Sequence, residues 1–120
     1  MLYRANLILE EGKGKEAEAD IERLLRREIP SSVRVLAYST MGEIYFRRKE
    51  WEKSKEFFKK ALEGGERWPR SYLLMKIASC EERMGKIKEA LTHYKDLLKS
   101  SPPADVALYI RVKVKELEGK

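Results

Sequence analysis

Apolar residues recur along the chain at three- and four-residue intervals, the spacing that places side chains on one face of a helix. In GEIYFRRKEWEKSKEFFKKAL, residues 42–62, two such segments flank the charged break RRKE. Similar short breaks, several of them marked by Gly or Pro, divide the rest of the chain. The pattern predicts seven helices, at 2–11, 14–28, 32–47, 50–63, 70–84, 86–99 and 104–117.

The helical segments repeat. Residues 77–98 align with residues 41–62 at a spacing of 36, and an earlier segment aligns with the same residues at a spacing of 37. Each first helix carries one small residue, and each second helix opens near another. Antiparallel helices approach closely only where a side chain is small, so we expect these positions to receive bulky neighbours. One helix pair cannot bury both of its apolar faces, so the units are expected to stack. The small residues are Ala5, Gly42 and Ala78 in the first helices and Ala17, Ser54 and Ala90 in the second.

This arrangement resembles the tetratricopeptide repeat, a helix–turn–helix unit of about 34 residues with small and aromatic residues at set places. The middle unit matches at Tyr38, Met41, Gly42, Tyr45, Ser54, Phe58 and Ala61. The third matches at Leu74, Ile77, Ala78, Ala90, Tyr94, Leu97 and Pro102, and the first at Ala5, Ile8, Gly12, Ala17, Ile21 and Leu24.

The resemblance implies an all-α fold, a right-handed superhelical α-solenoid of three helix pairs and a C-terminal capping helix. The expected domain is 1–120, with units at about 1–31, 32–68 and 69–103 and the cap at 104–118. Terminal repeats need a polar outer face, which favours a cap. The alternative is the first helix of a fourth unit. Glu81 stands where the pattern has an aromatic residue, so we expect a weakened contact or an exposed face there.

In this family the first helices line a concave groove that binds peptides. The resemblance therefore implies a protein–protein interaction module, an adaptor or assembly scaffold, that binds a peptide or a partner helix in that groove. The groove residues expected here are Asn6, Leu9, Thr40, Glu43, Phe46, Arg47, Tyr72, Met75, Lys76, Ser79 and Arg83. One branch of the family grips a C-terminal carboxylate, but Leu2, Thr40 and Tyr72 depart from its Lys and Asn positions.

The charge of the chain raises a second hypothesis. Its 26 basic and 20 acidic residues give a net charge of +6, which is compatible with a nucleic-acid-associated helical repeat. The two signs interleave along the segments, however, and this favours solvated helix faces over a phosphate-binding stripe. A third hypothesis is a self-associating structural repeat of a larger protein, a homodimer formed through the end helices.

The sequence offers no arrangement typical of catalysis or metal binding. Cys80 is the single cysteine and aligns with apolar positions, so we expect a buried core residue. His93 is the single histidine, and GKGK at 12–15 lacks the spacing of a phosphate-binding loop. We therefore expect no catalytic site, no metal and no cofactor, and a protein that is not an enzyme.

The N-terminal stretch MLYRANLILEEG has no basic start typical of a secretory signal, and no apolar run approaches the ~20 residues of a membrane span. These features slightly favour a cytoplasmic location over the bacterial cell envelope.

Overall fold

The fold is built of helices joined by short turns. The computed structural model describes residues 14–64 and 70–119. Within those ranges every regular element is a helix, which confirms the predicted all-α repeat fold. The helices are α1 (Gly14–Leu25), α2 (Ser31–Arg47), α3 (Trp51–Glu63), α4 (Arg70–Arg83), α5 (Ile87–Lys99) and α6 (Ala104–Glu118).

Most of the predicted boundaries lie within one residue of the observed ones. The helix predicted at 2–11 lies outside the described residues. α1 ends at Leu25 rather than at 28, because the next amides bond three residues back: Arg26 N–H donates to the carbonyl of Arg23 at 3.3 Å, and Arg27 N–H to that of Leu24 at 3.1 Å. These bonds close turns and end the α-helical pattern.

α2 and α3 pack antiparallel along their length. Phe46 meets Trp51 beside the turn with ring centroids 5.0 Å apart. Further along, the ring of Phe58 lies over Gly42. At the far end of the pair, a Cβ built on Gly64 would meet Val35. A small residue in α2 therefore receives a bulky residue of α3, as the repeat predicts.

A chain of hydrogen bonds joins three helices in the core. The hydroxyl of Ser54 donates to the carbonyl oxygen of Gly42 at 2.7 Å. The thiol of Cys80 donates to the Ser54 hydroxyl at 3.5 Å. Both side chains are fully buried, and burial raises the pKa of Cys80 above its usual value. Cys80 is thus a core residue, as predicted, and it ties α4 to the preceding helix pair.

α6 covers the end of the third unit. Ile110 and Leu117 are buried in a cluster with Ala78 of α4 and with Tyr94 and Leu97 of α5. Its opposite side carries solvent-exposed residues, among them Arg111 and Lys115. The helix therefore closes the apolar core of the third unit and presents a mixed outer surface.

Glu81 corrects one prediction. It does not expose a face, because only 2% of it is exposed and its carboxylate has two partners. Lys55 Nζ of α3 lies 3.1 Å from one carboxylate oxygen, and His93 Nδ1 of α5 lies 2.6 Å from the other. A buried charge is tolerated when it is paired and hydrogen-bonded. The residue that replaces an aromatic thus joins three helices through polar contacts.

Candidate functional site

The first helices of successive units lie side by side and are joined by ion pairs. Glu43 of α2 accepts a hydrogen bond from the hydroxyl of Tyr72 of α4, and its carboxylate lies 3.2 Å from Lys76 Nζ. One unit further, Lys113 Nζ of α6 lies 3.1 Å from the carboxylate of Glu82 of α4. The two contacts align α2, α4 and α6 as neighbours with one shared face.

These polar contacts shift the titration of the groups that make them. Burial and then the hydrogen bond to Glu43 raise the pKa of Tyr72, which keeps its phenol protonated. The hydrogen bond to Glu82 raises the pKa of Lys113, which keeps its ammonium charged. The two ion pairs of this surface are Glu43–Lys76 and Glu82–Lys113. Side-chain exposure of about one fifth on each partner makes both pairs stronger than fully solvated ones.

Aromatic rings support the basic side chains. Lys76 Nζ lies 3.5 Å from the centroid of the Phe46 ring, and the guanidinium of Arg83 lies 5.4 Å from that of Trp51. Phe46 and Trp51 themselves meet edge to face. Cation–π contacts of this kind hold a charged group in place while one side of it stays accessible. Trp51 therefore packs within its own unit and also contacts Arg83 of the next unit.

Three large apolar residues are exposed at the same repeat position. Leu36, Tyr72 and Leu108 follow one another at intervals of 36 residues, on α2, α4 and α6, with exposures of 36%, 43% and 62%. Val112, one turn after Leu108, is also exposed. We call the surface that contains them the first-helix face. Its residues are Leu36, Glu43, Phe46 and Arg47 of α2, Tyr72, Met75, Lys76, Ser79, Glu82 and Arg83 of α4, and Leu108, Arg111, Val112, Lys113 and Lys115 of α6.

The predicted groove residues divide into three groups. Asn6 and Leu9 lie outside the described residues. Thr40 is 7% exposed, and its hydroxyl donates to the carbonyl of Leu36 at 2.8 Å, so it offers little surface to a ligand. The others are half-buried or exposed on α2 and α4: Glu43, Phe46, Arg47, Tyr72, Met75, Lys76, Ser79 and Arg83.

Sequence reasoning missed Leu36, Leu108 and Val112. α6 was interpreted as a cap, so its outer residues were not compared with the groove positions of α2 and α4. The 36-residue spacing from Tyr72 was the signal that could have found Leu36 and Leu108, because equivalent residues of stacked repeats share a face.

The part of the chain described here, 14–64 and 70–119, holds no cluster of three or more His, Cys, Asp or Glu residues that could bind a metal ion. Within the same ranges, no helix combines the length and the apolar composition required to cross a membrane.

A comparison with protein-family models identifies the repeat. The model described as a tetratricopeptide repeat matches residues 33–101, more than half of the chain. The chain belongs to the tetratricopeptide repeat family. The match begins within α2 and ends just after α5. Tetratricopeptide repeats are in general protein–protein interaction modules and are typically not catalytic. No curated protein matches the chain.

Proposed function

We propose that this tetratricopeptide protein is a non-catalytic adaptor or scaffold that binds a protein segment on its first-helix face. The observation that carries the proposal is the exposed apolar row of Leu36, Tyr72 and Leu108. Single exposed apolar residues are common on proteins, but aligned ones form a patch, and patches mark interaction sites. The row lies on the helices that line the peptide-binding groove in this family.

The contacts around the row support a preformed site. Tyr72 is fixed by Glu43 and also meets the ring of Phe58 edge to face, with centroids 6.4 Å apart. Lys76 is held between Glu43 and Phe46. Side chains fixed before binding lose little conformational entropy when a ligand arrives. The face therefore combines exposed apolar area with polar groups already in position.

Affinity capture from native cell extract, read by mass spectrometry, tests the proposal. The chain is used in three forms: wild type, Arg83→Glu and Lys88→Glu. Arg83 lies on the first-helix face, whereas Lys88 is exposed on α5, a second helix, and its variant changes the net charge by the same amount. All captures are repeated after nuclease treatment.

We expect a protein that is captured by wild type and Lys88→Glu but lost with Arg83→Glu, with or without nuclease. Equal capture by all three forms would show that the partner does not bind the first-helix face. Loss on nuclease treatment alone would favour the nucleic-acid hypothesis.

A further inference from the structure

α6 carries a stripe of four exposed residues on the side that points away from the core. We call it the outer stripe, and it consists of Asp105, Leu108, Val112 and Lys115. Spacings of three, four and three residues keep these side chains on one face of the helix. Ile110 and Leu117, which are buried against α4 and α5, lie on the opposite face. The outer stripe therefore faces solvent.

The two central residues of the outer stripe are large and apolar. Leu108 is 62% exposed and Val112 is 49% exposed. They lie four residues apart, so their side chains are neighbours on the helix surface. A helix that only ends a repeat array needs a polar outer face. An apolar pair at the centre of that face is instead typical of a contact with another helix.

The two ends of the outer stripe carry opposite charges. Asp105 lies in the first turn of α6 and Lys115 in the last. The nearby Lys113 and Glu118 each form an ion pair within the chain, whereas among the described residues Asp105 and Lys115 have no such partner. From its N-terminal to its C-terminal end, the outer stripe is therefore negative, apolar, apolar and positive.

This order is complementary to itself when two copies of α6 run antiparallel. Asp105 and Lys115 lie five residues before and after Ile110, and Leu108 and Val112 lie two residues before and after it. A two-fold axis at the level of Ile110 brings Asp105 of one copy against Lys115 of the other. The same axis brings Leu108 against Val112. Parallel copies would bring like charges together, which opposes association.

We infer that the outer stripe of α6 binds the outer stripe of a second copy of the chain in an antiparallel helix pair. Two apolar layers form the centre of the contact, and an ion pair between Asp105 and Lys115 closes each end. Arg111 and Glu116 flank the stripe on opposite sides and stay at the exposed rim, where single charges contribute little. The contact is far smaller than a standard interface, so we expect a reversible dimer with a dissociation constant on the order of 100 µM.

The dimer shares one residue with the first-helix face. Leu108 belongs to both surfaces, whereas Leu36 and Tyr72 lie on α2 and α4 and stay accessible in the dimer. Dimerisation through the outer stripe goes beyond the proposed function and needs no bound partner. Leu36→Ser separates the two properties, because it alters the first-helix face and leaves the outer stripe intact.

Sedimentation equilibrium of the full chain between about 5 and 500 µM tests the inference. The samples are wild type, Leu108→Ser, Asp105→Lys, Lys115→Asp and, as a control, Leu36→Ser. An equimolar mixture of Asp105→Lys and Lys115→Asp is added, because its two chains are again complementary at both ends of the stripe. At about 0.15 M salt, charges more than about 8 Å apart are screened, so the net charge of +6 on each copy opposes association only weakly. Circular dichroism checks that each variant keeps its helix content.

We expect wild type and Leu36→Ser to dimerise with dissociation constants that agree within about twofold. Leu108→Ser removes two symmetry-related apolar contacts and should weaken the dimer at least about tenfold. Asp105→Lys and Lys115→Asp each turn two attractions into repulsions, and each should weaken it about fivefold. The mixture of these two variants should form heterodimers about as strong as the wild-type dimer.

Other results overturn the inference in distinct ways. A wild-type chain that stays monomeric up to about 500 µM would exclude the dimer. An equally strong dimer of Leu108→Ser would place the contact elsewhere on the surface. Single charge variants as strong as wild type, or a mixture no stronger than its components, would exclude the antiparallel register. None of these results changes the dependence of the captured protein on Arg83, so the proposed function stands or fails separately.

Discussion

The ring of Phe58 lies so close to Gly42 that a Cβ added there would come within 2.8 Å of ring atoms Cε1 and Cζ. The contact lets α2 and α3 approach each other, and the fully buried Phe58 cannot swing away without disturbing its cluster with Val35, Leu73 and Ile77. The glycine in the first helix is therefore a packing requirement of the pair.

Gly42→Ala should destabilise the protein. Alanine is favoured in a helix by up to about 1 kcal/mol, but overpacking a rigid core costs about 1–3 kcal/mol, so we expect a net loss of about 1–2 kcal/mol. Denaturant unfolding followed by circular dichroism measures it. Gly119→Ala is the control, because its Cβ would make only ordinary contacts, the nearest at 3.5 Å. A neutral or stabilising Gly42→Ala would show that Phe58 can move.

The substitutions Lys49→Gly and Gly85→Lys should change the stability of the protein in opposite directions. They occupy the same turn position, 36 residues apart, with left-handed φ angles of 62° and 79°. A side chain in this conformation costs about 1–2 kcal/mol, partly offset by the greater chain entropy of glycine in the unfolded state. We expect Lys49→Gly to stabilise by about 0.5 kcal/mol and Gly85→Lys to destabilise by about 1 kcal/mol. Thermal unfolding of both variants checks this, and changes of the same sign would refute it.

Glu81→Leu should strongly lower the free energy of unfolding. Removing the carboxylate leaves the ammonium of Lys55, a residue only 8% exposed, without its ion pair in the core. Breaking a buried pair costs about 3–5 kcal/mol, whereas replacing both partners by apolar residues is often nearly neutral. We therefore expect Lys55→Met together with Glu81→Leu to recover most of the loss. Urea unfolding of the single and double variants measures the coupling, and a double variant as unstable as the single one would contradict it.

The Glu50–Lys53 pair is the matched control for that cycle. Its atoms lie 3.7 Å apart, and both side chains are substantially exposed. Glu50→Gln should therefore change the free energy of unfolding by less than about 1 kcal/mol.

The phenol of Tyr45 should lose its proton at a higher pH than an ordinary tyrosine does. Its hydroxyl donates to Glu18, and this hydrogen bond, followed by burial, raises its pKa from 10.0 to about 12. A raised pKa stabilises the folded state below the unfolded value, so this contribution is full below pH ~10 and lost as pH rises towards ~12. Subtracting the phenolate absorbance of Tyr45→Phe from that of wild type isolates the group. Glu18→Gln should shift the titration to lower pH, and an unshifted curve would argue against the hydrogen bond.

The same contact acts in the opposite direction on Glu18. Burial raises the pKa of Glu18, but the hydrogen bonds from Tyr45 and Arg48 outweigh it, and the net pKa is lowered. Its contribution to stability is therefore present above the unfolded pKa and is lost as pH falls through the folded one. The Tyr45–Glu18 contact therefore stabilises the packing of α1 against α2 between these two limits, and its contribution is lost at both ends of the pH range.

Sequence periodicity predicted the fold because packing acts through a few small residues. Gly42, Ser54 and Ala78 can be identified by spacing alone, because two helices can pack closely only where the side chain at the contact is small. Glu81 could not be predicted in the same way. A lone carboxylate looks like a surface charge until folding brings Lys55 and His93, 26 and 12 residues away, to its side. Burial of an ion pair depends on three-dimensional partners that no local pattern shows.

The candidate site was predictable only where the family pattern covers it. Glu43, Tyr72 and Lys76 were expected on one surface, and the structure brings them into contact. The hydrogen bond and the ion pair that join them were not foreseen, because they depend on how far α4 lies from α2. Leu108 was missed because α6 was interpreted as a cap with a polar outer face, and its exposed positions were not compared with those of α2 and α4.

The central claim is that partners bind the first-helix face, and photo-cross-linking in living cells tests it most directly. A photoreactive phenylalanine analogue replaces Tyr72 in one strain and Lys88 in another, and cross-linked proteins are identified by mass spectrometry. The account predicts a cross-linked partner from position 72 and none from position 88. The same partner cross-linked from position 88 alone would contradict it.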